Sequence, residues 1–295
     1  VPQGSQLQCL ICGTDDIHRR YRIARFDVVE CRICQQIFLD PLPDPEEIRR
    51  LFESLYRSGE GSVPELKNYY EFCFEDRPDN PLVEQYEAWL DVIESFKVPG
   101  RLLDMGCGTG LFLSVARRRG WQPFGIDESL EATSHAREHF GLDPWVAEFS
   151  SLPDFGNRFD LITGWDVIEH SRSPVEFART ARECLSPDGV VAFSTPNQRS
   201  ILDLVAGFLY RLSGGRITKP LEKFYIEQHF LYFTPDTLSD CLARGGLGIL
   251  RLDRELTDLR RLALSPLTRF GLESMFVAAR ILGRENRLFV IAESD

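Results

Sequence analysis

From residue 101 onward, short apolar runs alternate with amphipathic stretches in a regular beat. Leu102 and Leu103 lead into Asp104, and beyond a glycine-rich turn LFLSVARRRG places its apolar residues at helical spacing. The pattern predicts a strand over Arg101–Met105, a helix over Leu111–Arg119, a strand over Pro123–Asp127 and a helix over Leu130–Phe140. A short third strand is expected at Trp145–Ala147, a fourth at Asp160–Thr163, a helix at Pro174–Leu185 and a fifth strand at Val190–Ser194. Gly248–Asp253 and Arg287–Ala292 read as the last strands, with a helix over Leu272–Leu282 between them. Such alternation predicts an open α/β sheet whose ligands bind beyond the C-terminal ends of its strands.

Ahead of this region the pattern is different. Cys9-x2-Cys12 and Cys31-x2-Cys34 enclose eighteen residues that alternate enough to make short strands. Two such knuckles present four thiolates, a closed tetrahedral set suited to structural zinc, and the module reads as a zinc ribbon over residues 6–40. A segment this short has little core, so metal binding would be part of its folding energy. Pro41, Pro43 and Pro45 mark a linker, and Glu46–Leu55 reads as a short helix within the connector 41–80. Pro81 opens a helix through Phe96. After the fifth strand, Ile201–Phe224 interrupts the alternation, and its apolar stretch suits a cap over a pocket, a peripheral helix or a dimer contact. Thr234 or Asp236 is placed to cap the helix that follows.

Composition narrows the class. The 295 residues, 33.8 kDa, suffice for a full core plus a small module, and 43% apolar content is that of a globular protein. A net charge of -11 and a pI of about 5.1 oppose non-specific attraction to nucleic acid. The longest apolar run, Ile201–Tyr210, is too short to span a bilayer and is broken by Asp203. With no signal segment in view, a cytoplasmic location is the expectation, and Val1–Ser5 reads as a tag remnant. Cys73, Cys107, Cys184 and Cys241 read as small buried hydrophobes.

The turn Gly106–Cys107–Gly108–Thr109–Gly110 lets the chain kink so that backbone N–H groups and a helix terminus face a ligand. Its spacing is GxGxG rather than GxGxxG, and Asp104 precedes it, where a carboxylate would repel a pyrophosphate. A cationic or hydroxyl-bearing ligand fits better, and Asp127, ending the second strand, suits the hydroxyls of a ribose. Together with GWDVIEH (164–170), LSPDG (185–189) and FSTPN (193–197), this loop resembles the class I S-adenosylmethionine-dependent methyltransferases, closest to the ubiquinone-biosynthesis O-methyltransferases. Asp188 departs from the pattern, where relatives commonly carry glycine.

The resemblance implies a Rossmann-like seven-stranded sheet, mostly parallel with an antiparallel last strand in a terminal hairpin, over residues 81–295 with a cap at 198–226, and a lid over the cofactor within the linker 41–80. It implies S-adenosylmethionine as methyl donor, held by Asp104, Gly106, Cys107, Gly108, Gly110 and Asp127, with Glu148 and Phe149 framing adenine and Asp166 near the methionyl ammonium. The expected reaction is in-line transfer to a small-molecule acceptor, at a hydroxyl oxygen. His170 is placed as its base, as a substrate-binding group or as a structural histidine, with His229 the rival. Glu169 would orient His170 or, as in some quinol O-methyltransferases, help hold a divalent ion. Two alternatives stay open: an rRNA or tRNA methyltransferase gripping RNA through Arg19, Arg20, Arg22 and Arg25 of the ribbon, and a sugar-nucleotide or natural-product methyltransferase acting at carbon or nitrogen. The pattern leaves oligomeric state undetermined.

Overall fold

Three short antiparallel strands open the chain: β1 (Ile17–Arg22), β2 (Asp27–Cys31) and β3 (Ile37–Asp40). They are seen in a computed structural model, which describes residues 7–58, 70–148 and 158–295. Side chains alternate across this small sheet, and both faces are covered. Val28, Ile37 and Leu39 point to one side, while Val29, Cys31 and Phe38 point to the other.

Helix α1 (Pro45–Ser58) and helix α2 (Pro81–Glu94) follow, the second capped by Asn80, whose side chain accepts from Leu82 N at 2.9 Å. The alternating region then runs β4 (Arg101–Met105), α3 (Leu111–Arg118), β5 (Gln122–Asp127), α4 (Leu130–Phe140), β6 (Trp145–Val146), β7 (Phe159–Trp165), α5 (Pro174–Cys184) and β8 (Leu185–Pro196). After it come α6 (Ile201–Leu212), the single turn α7 (Lys219–Glu222), β9 (Leu231–Tyr232), α8 (Pro235–Arg244), β10 (Leu247–Glu255), α9 (Pro266–Leu282) and β11 (Arg287–Ser294).

Seven strands form one sheet in the order β10-β11-β8-β7-β4-β5-β6. β4 lies between β5 and β7 and is parallel to both, while β11 is antiparallel to β8 and β10. The strand order therefore reverses at β4, and a crevice opens beyond its C-terminal end. Asp104 stands there, with Asp127 at the end of β5 and Asp166 just beyond β7.

The Rossmann-like sheet is the one expected, with local differences. β8 begins at Leu185, but its pairing with β7 passes from Leu185 directly to Val190, so the SPDG segment loops out of the ladder inside the strand rather than ahead of it. α9 begins at Pro266, capped by Ser265, because its first turns expose Leu267 and Phe270 and so lack the one-sided apolar pattern. β10 and β11 pair antiparallel, but α9 lies between them in the chain, so they are no tight hairpin. Thr234, not Asp236, caps α8: its hydroxyl accepts from Thr237 N at 3.2 Å.

The ribbon strands acquire a fourth partner that their own sequence does not reveal. β9 pairs antiparallel with β3, Ile37 opposite Tyr232 and Phe38 opposite Leu231. One face of this four-stranded sheet joins the core that includes Leu103, Met105, Phe233 and Leu238. The other face packs on the cap, with Tyr21, Val28 and Leu39 against Ala206, Leu221 and Tyr225. Helix α6 buries Ala206 and Gly207 against the ribbon and leaves Leu204, Val205, Phe208 and Leu212 in solvent. Among the described residues no helix is long and apolar enough to cross a membrane.

Gly207 marks the closest approach of α6 to the ribbon. A Cβ built there would lie 2.3 Å from the Tyr21 hydroxyl oxygen, and Tyr21 is 1% exposed, its ring held between Tyr210 and Tyr225. Helix propensity alone would make Gly207→Ala stabilising by about 1 kcal/mol. Overpacking of about 1–3 kcal/mol opposes it and should win, because the buried ring has nowhere to move. Urea unfolding of the variant should show a lower midpoint; a higher one would mean that helix and ribbon are not in contact.

Candidate functional site

A cavity of about 450 Å³ opens beyond the C-terminal ends of β4, β7 and β8. Its wall brings together Asp104, Gly106, Cys107, Gly108, Asp166, His170 and His229. Gly110, Asp127, Glu148 and Glu169 are not on that wall.

On the floor, Asp104 is 1% exposed, and its Oδ1 accepts a hydrogen bond from Thr163 Oγ1 at 2.6 Å. Burial pushes its carboxyl up to about 7, although the Thr163 hydrogen bond pulls the other way. Among the described residues this acid has no cation beside it. The glycines bend the chain away from it: Gly106, Gly108 and Gly110 all have positive φ. The N–H groups of Gly106 and Cys107 donate to the Ile126 carbonyl at 2.8 and 3.0 Å, and that of Gly108 to Asp127 Oδ2 at 2.8 Å. The turn thus shapes the floor by its curvature and spends these N–H groups on β5 rather than aiming them into the cavity.

Asp127 lies behind the turn, with Oδ1 accepting from Ser129 N at 2.9 Å. Tyr56 of α1 packs over Gly108, its hydroxyl 3.0 Å from where a Cβ would stand, and closes the cavity on that side. Glu148 is exposed at the edge strand, and Phe149 lies outside the described residues.

Aromatic rings form one wall. Trp165 stacks on Trp89 at 4.5 Å, and Trp89 stacks on Phe289 at 5.5 Å. Trp89 Nε1 donates to Glu255, whereas the buried Trp165 Nε1 has no partner and lies on the cavity.

Elsewhere on the cavity wall, Asp166 adopts a left-handed conformation, φ 56°. Its Oδ1 accepts from Arg287 Nη2 at 2.6 Å and from Ser194 Oγ at 3.2 Å. Arg287 is buried, so this acid already has its cation, unlike Asp104. Glu169 turns inward with no exposure, its Oε2 accepting from Thr195 Oγ1 at 2.9 Å and its Oε1 without a partner. Burial, then the neighbouring Asp166, pushes its carboxyl up to about 8.

His170 Nδ1 is hydrogen-bonded to the Gln228 carbonyl, which can only accept. The proton is therefore on Nδ1, and Nε2 keeps its lone pair. Burial holds the imidazole below its usual pKa, so it is neutral at pH 7. His229 lies edge-on at 4.8 Å, pushed down to about 3 by burial and then by His170. Ligand atoms of Glu169, His170 and His229 lie within 4.8 Å of one another.

The four ribbon thiols also converge within 4.8 Å, with Cys9 Sγ 3.4 Å from Cys34 Sγ and Cys12 Sγ 3.5 Å from Cys31 Sγ. Zinc–sulfur bonds of about 2.3 Å in a tetrahedron would set these edges near about 3.8 Å. The two knuckles are built alike. Cys9 N donates to Thr14 O and Cys31 N to Gln36 O, at 2.8 and 3.0 Å, and each knuckle ends in a left-handed residue, Gly13 or Gln35. Hydrogen bonding by Cys34 draws the Cys9 thiol down to about 5 and pushes its partner up, as crowded thiols sharing one charge must. The ribbon arginines are paired within the protein: Arg19 and Arg22 with Asp27, Arg20 with Glu30 and Asp203, Arg25 with Glu227.

Comparison with known proteins agrees with this architecture. A family model described as a methyltransferase domain matches residues 80–252. The chain belongs to the methyltransferase-domain family. Ubiquinone biosynthesis O-methyltransferase from Nitrobacter winogradskyi is 33% identical over 157 residues, 50% of this chain and 57% of that protein. Its counterpart from Cereibacter sphaeroides KD131 is 28% identical over 152 residues, 50% of this chain and 60% of that protein. The chain thus spans somewhat over half the length of these curated relatives. Magnesium protoporphyrin IX methyltransferase from Synechocystis PCC 6803, solved with bound SAH, superposes with a TM-score of 0.55 at 15% identity, covering 85% of this chain and all of that one. A SAM-dependent methyltransferase from Archaeoglobus fulgidus gives 0.51 at 21% identity, covering 76% of this chain and 100% of the other. Both likenesses show the fold.

Sequence reasoning missed Thr163, Thr195, Arg287 and Gln228, which hold the four groups it singled out. Thr163 and Thr195 could have been found, since both lie on predicted strand ends facing the crevice. Arg287 and Gln228 carry no motif, and they reach their partners over 121 and 58 residues of chain.

The raised Asp104 carboxyl has a measurable consequence. It is protonated below about pH 7 in the free protein, and a bound cation favours the carboxylate. Donor affinity should therefore rise with pH from about 5.5 to 7.5, with proton release on binding. Titration calorimetry in two buffers of different ionisation enthalpy measures both. A flat profile that persists in Asp104→Asn would remove Asp104 from the donor site.

Proposed function

We propose that the protein transfers a methyl group from S-adenosylmethionine to a hydroxyl of a small-molecule acceptor. The observation that carries this reading is one cavity with a buried acid that has no cation beside it among the described residues at one end, and a neutral histidine held through Nδ1 at the other. Bound S-adenosylmethionine would supply a methyl group activated on a sulfonium and an ammonium that matches Asp104. Asp127 and its partners behind the glycine turn would receive the ribose, with Glu148 and Phe149 on the adenine side and Asp166 near the methionine portion. The turn at Gly106, Cys107, Gly108 and Gly110 shapes the bed.

Methyl transfer needs alignment and exclusion of water more than covalent help. The stacked rings of Trp89 and Trp165, backed by Phe289, supply a rigid, dry wall, and helix α1, with Phe52 and Tyr56 on the cavity, acts as the lid within the connector 41–80. His170 takes the acceptor's proton at Nε2 as the oxygen attacks, while the Gln228 carbonyl steadies the imidazolium through Nδ1. His229, held neutral, serves as the acceptor-side neighbour. Glu169, His170 and His229 also suit a divalent cation, but the two uses exclude each other, since both need the same Nε2 lone pair. The internal pairing of Arg19, Arg20, Arg22 and Arg25 favours a small acceptor over RNA.

We further propose that Cys9, Cys12, Cys31 and Cys34 hold one structural zinc. Protein purified without added metal should carry about one equivalent, and its absence from folded protein would refute the assignment.

Isotope-labelled S-adenosylmethionine, offered to a metabolite extract and to total RNA, should place label in a small molecule. Label arriving in RNA alone would overturn the acceptor class. His170→Ala should cut turnover roughly a hundredfold with donor affinity little changed. Wild-type turnover in that variant, or turnover that depends on an added divalent ion, would remove His170 as the base.

A further inference from the structure

The ribbon's arginines fall into two groups. Arg19, Arg22 and Arg25 are largely exposed and pair at the surface, whereas Arg20 reaches inward across the sheet. Its Nη1 donates to Glu30 at 2.9 Å within the ribbon, and its Nη2 donates to Asp203 at 3.1 Å, 183 residues away in the first turn of α6. Asp203 is 6% exposed and lies on the cavity wall. Its second oxygen accepts from Gln198 Nε2 and from the Tyr225 hydroxyl, both at 2.9 Å, and both residues belong to the cap. One guanidinium therefore anchors the start and the end of the cap segment to the ribbon.

A second connection is made by backbone alone. Leu39 N of β3 donates to Phe230 O at 3.1 Å, and Phe230 N donates to Glu169 O at 2.9 Å. His229 and the Gln228 carbonyl that holds His170 are the two residues before Phe230. The edge of the ribbon sheet is thus two hydrogen bonds from the turn carrying the proposed base. No comparable bond runs from the ribbon to the glycine turn among the described residues.

We infer that the four-cysteine ribbon buttresses the acceptor half of the site from behind the cap, and that Arg20 is the positioning residue through which it orders the cap. This rests on the proposal that the cap side of the cavity receives the acceptor. It assigns the ribbon a role in substrate selection within the same chain, in place of a grip on a separate macromolecule. Loss of the thiol cluster would loosen residues 198–232 and leave the donor floor, built on β4 and β5, in place.

The test separates the two halves of the site by hydrogen exchange, read by mass spectrometry on the full-length chain, with S-adenosylhomocysteine as donor-side probe. In Arg20→Gln, peptides covering 198–232 should exchange roughly tenfold faster or more, because a buried carboxylate has lost its cation. Peptides of β4 and α3 should be unchanged, S-adenosylhomocysteine affinity should stay within about twofold, and metal content should match the wild type. Arg20→Lys should recover part of the protection, and Asp203→Asn should loosen the same peptides should Arg20→Gln fold poorly. Unchanged protection over 198–232 in Arg20→Gln and Asp203→Asn would overturn the inference, as would a parallel loss of probe affinity and core protection. Failure of the wild type to bind S-adenosylhomocysteine would instead sink the methyltransferase reading on which it rests.

Discussion

Strand β9 is two residues long, yet its pairing with β3 joins the two sheets of the molecule. Through it the four-cysteine ribbon, the cap and the turn bearing Glu169 and His170 become one packed unit. A two-residue strand holds no register by itself. It persists because Leu231 and Tyr232 are both buried, and because Gln36 Nε2 adds a bond to the Tyr232 carbonyl at 3.2 Å. The burial of the ribbon on both faces follows from this junction. Its surface arginines are exposed but pair with acids of the same chain, Arg19 and Arg22 with Asp27 and Arg25 with Glu227.

The charges in the cavity follow a second constraint, the cost of burying an ion without a partner. Asp166 meets it with Arg287, and Asp203 meets it with Arg20. Asp104 and Glu169 have hydroxyls instead, and burial raises both carboxyls. Asp166 and Asp203 are thereby balanced inside the protein, whereas Asp104 faces the cavity with a hydroxyl partner and Glu169 lies off the cavity wall. Opposite them, His170 and His229 are kept neutral by the same burial.

Much of the sheet was legible because strands buried on both sides read as apolar runs whatever surrounds them. β4 and α4 have the boundaries that the pattern predicts. The edges blurred where that pattern weakened: α9 exposes apolar residues on its outer face, and the SPDG segment, read as a turn, is an unpaired bulge between Leu185 and Val190 of β8. The site was legible at its acids and histidines, which stand at strand ends. Their partners were not, since a threonine or an arginine beginning a strand resembles any other.

The sequence by itself determined the alternation of strands and helices, the crevice at the end of β4 and the pairing of cysteines into two knuckles. Those are local, carried by apolar spacing, by glycines at positive φ and by thiols two residues apart. Only the tertiary structure decided that β9 extends the ribbon, that Arg20 crosses to Asp203, and that the Gln228 carbonyl sets the His170 tautomer. Each of these joins segments far apart in the chain, and their partner choice depends on which polar groups burial leaves together. No periodicity records that, because a buried hydrogen bond is specified by the position of both ends and by the exclusion of water around them.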